Sequence, residues 1–209
     1  MKHLNGNKIC VVDVETTGTD SDIHEIIDIC VLPLDLNFKP DRAPFQMQLR
    51  PNNMEAIDIE ALKIRKHYLE VDKYTTKHKN VVSATQRGVD SMKAADYFFE
   101  WWKGFDFGIH KKIIPLAHNW PFDREFIKKW LSVDVFEQCF SPLYRDTMAT
   151  TLYLNDKHGF VGEEGQYPYA KNNLQYLCST LNIKRFGEHT ALGDCVATAE
   201  CYREILKKL

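Results

Sequence analysis

The sequence predicts an α/β protein whose sheet opens antiparallel and continues with strands and helices in alternation. Two observations carry this. Apolar, strand-like runs follow one another at residues 9–12, 26–34 and 45–49, with polar turns between them, as in a meander. Beyond residue 90, helical periodicity alternates with short apolar runs, which is the order of an α/β layer architecture.

At 209 residues and 24.3 kDa the chain suits one domain spanning 1–209, with a polar, basic insertion around 54–87. Composition is that of an ordinary globular protein, 44% hydrophobic and 27% charged. Lys and Arg number 27 against 29 Asp and Glu, a net charge of −2. A polyanionic partner must then be held by a local basic patch or through bound metal, which disfavours a nucleic-acid coat protein. Cys10, Cys30, Cys139, Cys178, Cys195 and Cys201 form no Cys-x-x-Cys pair, so neither a disulfide framework nor a zinc site is expected. No apolar run nears the ~20 residues of a membrane span, and residues 1–7 lack a secretory apolar stretch. A cytoplasmic, reducing setting without membrane contact is expected; oligomeric state is open.

The first run, residues 9–12, is β-branched and reads as a strand buried on both faces. Asp13 and Glu15 follow it, and residues i and i+2 of a strand share a face. Two bare carboxylates at the end of a buried strand need a positive partner, and a hard divalent cation is the usual one. Thr16, Thr17 and Gly18 supply a turn whose backbone N–H groups can approach a phosphate. An EF-hand reading of this stretch fails, because His24 stands where that loop needs Glu and a strand precedes it.

Residues 55–66 read as a helix. Between 63 and 79 lie six cations (Lys63, Arg65, Lys66, Lys73, Lys77, Lys79) and two acids (Glu70, Asp72), either a face for a polyanion or a solvated surface. Residues 91–105 predict a helix with Met92, Ala95, Phe99 and Trp102 on its apolar stripe, widened by Phe98, Trp101 and Phe105, capped by Asp90 or Ser91 and broken by Gly104 and Gly108. Its aromatics read as core. A buried strand at 113–117 leads through His118 and Asn119 to a helix with Pro121 at its first position and Asp123 in its first turn. A short strand at 143–146 enters a helix at 147–154, a Gly-rich loop spans about 155–171, and helices follow at 172–181 and 190–208. His189 precedes the last helix and Asp194 lies in its first turns.

Four separated acids thus stand at element ends: Asp13, Glu15, Asp123 and Asp194. Where strand ends meet helix starts, such groups converge, and only cations make that tenable. Two divalent ions about 3.5–4 Å apart form a clamp for displacement at phosphorus, and a nearby His can take a proton from water.

Three stretches carry a resemblance. They are Val12-Asp13-Val14-Glu15-Thr16-Thr17-Gly18, Ala117-His118-Asn119-Trp120-Pro121-Phe122-Asp123 and His189-Thr190-Ala191-Leu192-Gly193-Asp194. In this order, with the His-x4-Asp spacing, the chain resembles the DnaQ-like (DEDDh) 3′→5′ exonucleases, which include replicative proofreading subunits and RNase T. The resemblance runs from about residue 8 to 206. It implies an RNase H-like mixed five-stranded sheet flanked by helices. Asp13, Glu15, Asp123 and Asp194 would hold two Mg²⁺ or Mn²⁺ ions, with His189 as general base. Thr16, Thr17 and Gly18 would contact the terminal nucleotide, and His118 and Asn119 would line its pocket. The implied partners are 3′ ends of single-stranded DNA or RNA, with a DNA polymerase as a further candidate, and the implied products are nucleoside 5′-monophosphates. A catalytically silent nucleic-acid-binding or polymerase-associated module and a short-oligonucleotide hydrolase are the competing readings. No P-loop or dinucleotide Gly motif is present, which argues against ATP or NAD chemistry.

Overall fold

The computed structural model describes residues 8–53, 55–58, 88–108, 111–160, 168–187 and 189–207. Strands β1 (Lys8–Thr16), β2 (Ile26–Pro33) and β3 (Phe45–Arg50) form the expected antiparallel meander. A two-residue strand β4 (Val89–Asp90) leads into α1 (Ser91–Lys103). Next come β5 (Ile113–Ala117), α2 (Trp120–Leu131), α3 (Val133–Cys139), β6 (Arg145–Asp146), α4 (Thr147–Phe160), α5 (Leu174–Thr180) and α6 (Ala191–Leu206). The sheet runs β4-β3-β2-β1-β5-β6, with β5 and β6 parallel to β1. The chain is therefore α/β with a mixed sheet, of six strands rather than five. The additional strand is β4, a two-residue pairing with Leu49 and Arg50 that is too short to show periodicity in sequence.

Alternation along β1 divides the core between two layers. Cys10, Val12 and Val14 face α1 and α2, whereas Ile9 and Val11 face α6. By the same parity Asp13 and Glu15 lie on the α6 side of the sheet. On α6, Cys195, Ala199 and Tyr202 pack against the sheet, while Ala197, Cys201 and Ile205 pack against Leu174, Leu177 and Cys178 of α5. All six cysteines are free and buried, as small core residues.

Several local expectations are corrected. The buried residues of α1 are Ala94, Phe98 and Trp102, with Ala95, Phe99 and Trp101 partly buried beside them; Met92, expected on the stripe, is instead 80% exposed. Asp90 caps α1 through the N–H groups of Met92 and Lys93, but Gly104 ends it in an ordinary right-handed conformation. Helix α4 continues to Phe160 through Gly159, taking the start of the expected loop, and α3 was not anticipated. The loop's far end is tied back by Asn155, which donates to Tyr169 O (2.7 Å) and accepts from Tyr169 N (3.0 Å). Residues 55–58 form a turn; the rest of the helix expected at 55–66, and the basic stretch at 63–79, lie outside the described residues.

Phe98 is fully buried, with the rings of Phe45, Trp101, Trp130 and Phe140 centred 5.3–6.0 Å from its own. These neighbours come from β3, α1, α2 and the bridge beside β5, so the cavity left by truncation has no single flexible wall to close it. Phe98→Ala is expected to lower stability by about 3–5 kcal/mol, read from denaturant unfolding.

Candidate active site

The site begins with a mismatch of strand length. Pairing of β1 with β5 stops at Val11 opposite Leu116, so β1 runs on alone past its parallel neighbour. Its other edge stays paired to β2, with Glu15 opposite Asp28, and a bulge then shifts the register so that Thr16 pairs with Ile26. The overhang leaves the N–H of Val14 facing the start of α2, where Asp123 Oδ1 accepts it at 2.9 Å. This bond ties the helix carboxylate to the strand that carries Asp13 and Glu15.

On the α6 side of the sheet, carboxylate oxygens of Asp13, Glu15 and Asp194 lie within 4.8 Å of one another. Three hard oxygen donors at that spacing fit a hard divalent ion such as Mg²⁺ or Mn²⁺. Asp123 stands outside this trio but close enough for its charge to be felt by Asp13. Burial above all, then the charges of Asp123, Glu15 and Asp194, holds the Asp13 carboxyl well above the usual carboxylate range. Burial likewise raises Asp123, opposed by the hydrogen bond from Val14.

Past the bulge the chain stays against β2: Thr16 still pairs with Ile26, and Thr16 and Thr17 are both buried. Thr17 donates its N–H to Glu25 O (2.9 Å), and its hydroxyl accepts from Glu25 N (3.0 Å). Gly18 lets the His24 ring lie close: a Cβ would stand 2.3 Å from it and would make that side chain shift. His118 and Asn119 follow β5. His118 Nδ1 lies 2.8 Å from the Thr147 hydroxyl, which also reaches Ala117 O, and burial lowers the His118 pKa, favouring the neutral ring. Asn119 takes a left-handed conformation, φ 74°, at the start of α2. His189 is half-buried at φ 60°, next to Thr190, whose hydroxyl caps α6. No hydrogen bond joins the His189 ring to the trio among the described residues.

Three site-shaping residues were not singled out in the sequence. Asp146 is buried and accepts four N–H groups: Oδ1 from Asn119 (3.2 Å), Met148 (2.8 Å) and Ala149 (3.2 Å), Oδ2 from Trp120 (2.7 Å). It caps α4 and fixes the left-handed entry to α2 together. Asp at a strand-to-helix junction was the available signal. Asp28, buried on β2, accepts the N–H of Ala191 at 3.2 Å and so holds the start of α6 to the sheet. Arg185 forms an ion pair with Asp194, with both side chains largely buried. It stood beside Lys184 in a polar stretch that gave no sign of burial.

A mixed sheet in this order, with carboxylates gathered where its central strand outruns a parallel neighbour, defines an RNase H-like exonuclease domain of the DnaQ type. The chain belongs to the RNase T exonuclease family, whose profile matches residues 10–202. No curated protein matches it in sequence. Among solved structures it is similar to exonuclease I from Methylocaldum szegediense, at 18% identity and a TM-score of 0.69, over 97% of this chain and 41% of that one. It is also similar to E. coli exonuclease I in a zinc-bound complex with single-stranded DNA (14% identity, TM-score 0.68, 97% and 41% covered). A third is E. coli exonuclease I with a dA16 oligonucleotide (16% identity, TM-score 0.68, 96% and 41% covered). This chain thus spans about two-fifths of the length of the exonuclease I chains it matches. Among the described residues no helix is long and apolar enough to cross a membrane.

Two predictions follow from this geometry. The raised native pKa of Asp13 gives stability that is complete below its unfolded value, about 4, and is lost as pH rises through the native value. Asp13→Asn removes that loss, so in chelator its Tm relative to wild type should climb as pH rises above the unfolded value, followed by thermal melting. Asp146→Ala unpairs N–H donors at two helix starts, the one at Trp120 buried, and is expected to lower stability by about 2–4 kcal/mol, measured by denaturant unfolding.

Proposed function

We propose that this chain is a metal-dependent 3′→5′ exonuclease that releases nucleoside 5′-monophosphates from single-stranded nucleic acid. The observation that carries the reading is the convergence of Asp13, Glu15 and Asp194 within 4.8 Å, with Asp123 bonded to the same strand. Like charges are brought together there with only part of their repulsion offset by the protein's own groups, which is the mark of a cation site. The oligonucleotide complexes of the structural relatives support single-stranded DNA as substrate.

Asp13, Glu15 and Asp194 would hold one divalent ion, and Asp13 with Asp123 a second. When bound, such ions supply positive charge against the phosphate oxygens and lower the pKa of water. The protein's own groups do the rest. His189, at the mouth of α6, accepts the proton of the attacking water on a ring nitrogen. Backbone groups of Thr16, Thr17 and Gly18, just past the bulge, position the terminal nucleotide. His118 and Asn119 line the nucleotide pocket; Thr147 fixes the His118 ring, and Asp146 fixes the Asn119 backbone.

The test is hydrolysis of 5′-labelled single-stranded DNA and RNA of matched sequence with Mg²⁺, Mn²⁺ or EDTA. The expected result is a ladder shortening from the 3′ end with metal and none with EDTA. Asp13→Ala and Asp194→Ala should each slow it by about a thousandfold or more, about 4 kcal/mol of barrier, with the fold intact. Undiminished cleavage by Asp13→Ala would overturn the assignment. Cleavage confined to dinucleotides would instead favour the short-oligonucleotide hydrolase.

A further inference from the structure

Arg185 lies outside the three motifs yet reaches the centre of the site. Lys184 and Phe186 on either side of it lean outward, the ammonium 5.1 Å from the ring centre and the ring 67% exposed, while the Arg185 side chain turns in and is 7% exposed. Its Nη2 donates to Asp194 Oδ1. The loop is held in that pose by a close backbone contact: a Cβ on Gly193 would stand 2.1 Å from Gly187 O and 2.5 Å from Phe186 O. Asp194 belongs to the carboxylate trio, so the carboxylate that pairs with this fixed guanidinium is also one that would face a divalent ion from solution.

We propose that Arg185 is a built-in counter-cation of the carboxylate cluster, competing with divalent ions for Asp194 and thereby setting the metal affinity of the site. The inference rests on the metal reading above. A guanidinium cannot shed its proton at any working pH, so its charge is always present. In a buried site its field is weakly screened, and a positive charge beside a carboxylate ligand diminishes the pull on an incoming cation. Coupling between two cations at one anion is reciprocal: whatever the arginine takes from metal binding, the metal takes from the ion pair. The pair thereby keeps Asp13, Glu15 and Asp194 together without metal. Arg185 is thus a positioning residue that acts through Asp194. A role confined to orienting Asp194 makes the opposite prediction, since loss of an orienting bond weakens a metal site.

Titration of Mn²⁺ into the intact chain by calorimetry separates the two without reference to turnover. Arg185→Met, which keeps the aliphatic stem, should bind Mn²⁺ about tenfold more tightly than wild type, equal to about 1.4 kcal/mol. Arg185→Lys, which keeps the charge, should stay near wild type. In thermal melts Arg185→Met should lose Tm in chelator and gain more Tm than wild type on adding Mn²⁺. If Arg185→Met does not melt cooperatively in chelator, Arg185→Gln is read in the same way. Equal or weaker Mn²⁺ binding by the neutral variant overturns this inference alone. Absence of Mn²⁺ binding in wild type and variants alike overturns the metal reading, and this inference with it.

Discussion

Everything near the site depends on the repulsion between carboxylates gathered on one buried face of β1. Asp13 and Glu15 share that face by strand parity, and α6 adds Asp194 to it. The fold tolerates this because two of the acids, Asp123 and Asp194, are anchored by groups other than their neighbours. Asp123 takes a backbone N–H that the uneven strand lengths leave available. Asp194 is paired with Arg185, and the start of α6 is held by Asp28. The residual strain shows in the carboxyl of Asp13, which burial and like charge push toward protonation.

The supports are mostly backbone groups, which makes the site stiff. Asn119 and His189 both occupy left-handed conformations, unfavourable for residues with a Cβ by an amount on the order of 1 kcal/mol each. At Asn119 the compensation is visible: Asp146 accepts its N–H and that of Trp120 while capping the neighbouring helix. A single carboxylate therefore sets the direction of α2, and with it the position of Asp123. At His189 the turn is stabilised by Thr190, which donates its hydroxyl to Gly187 O while accepting from Gly193 N.

Much of this was legible from residue order. The alternating and β-branched runs gave β1, β2, β3 and β5, and three motifs named the four acids and the histidine before any coordinates were at hand. The illegible parts have physical reasons. Strand β4 and helix α3 are too short for a period to be read. On α1 the aromatics are so dense that two registers compete, and contacts with β3 and α2 decide for Phe98 over Met92. The roles of Asp28, Asp146 and Arg185 arise from partners 163, 27 and 9 residues away along the chain, separations at which local pattern is silent.

The close seating of Gly193 against the carbonyls of Phe186 and Gly187 has a consequence for how this site can change over generations. Arg185, His189 and Asp194 ride on one rigid clasp of loop and helix, with no slack between the ion pair and the cap. A residue inserted or deleted within that clasp would put arginine, histidine and carboxylate out of phase together. A change of length elsewhere in the chain, such as between β3 and β4 or between α4 and α5, would leave those three side chains in phase with one another.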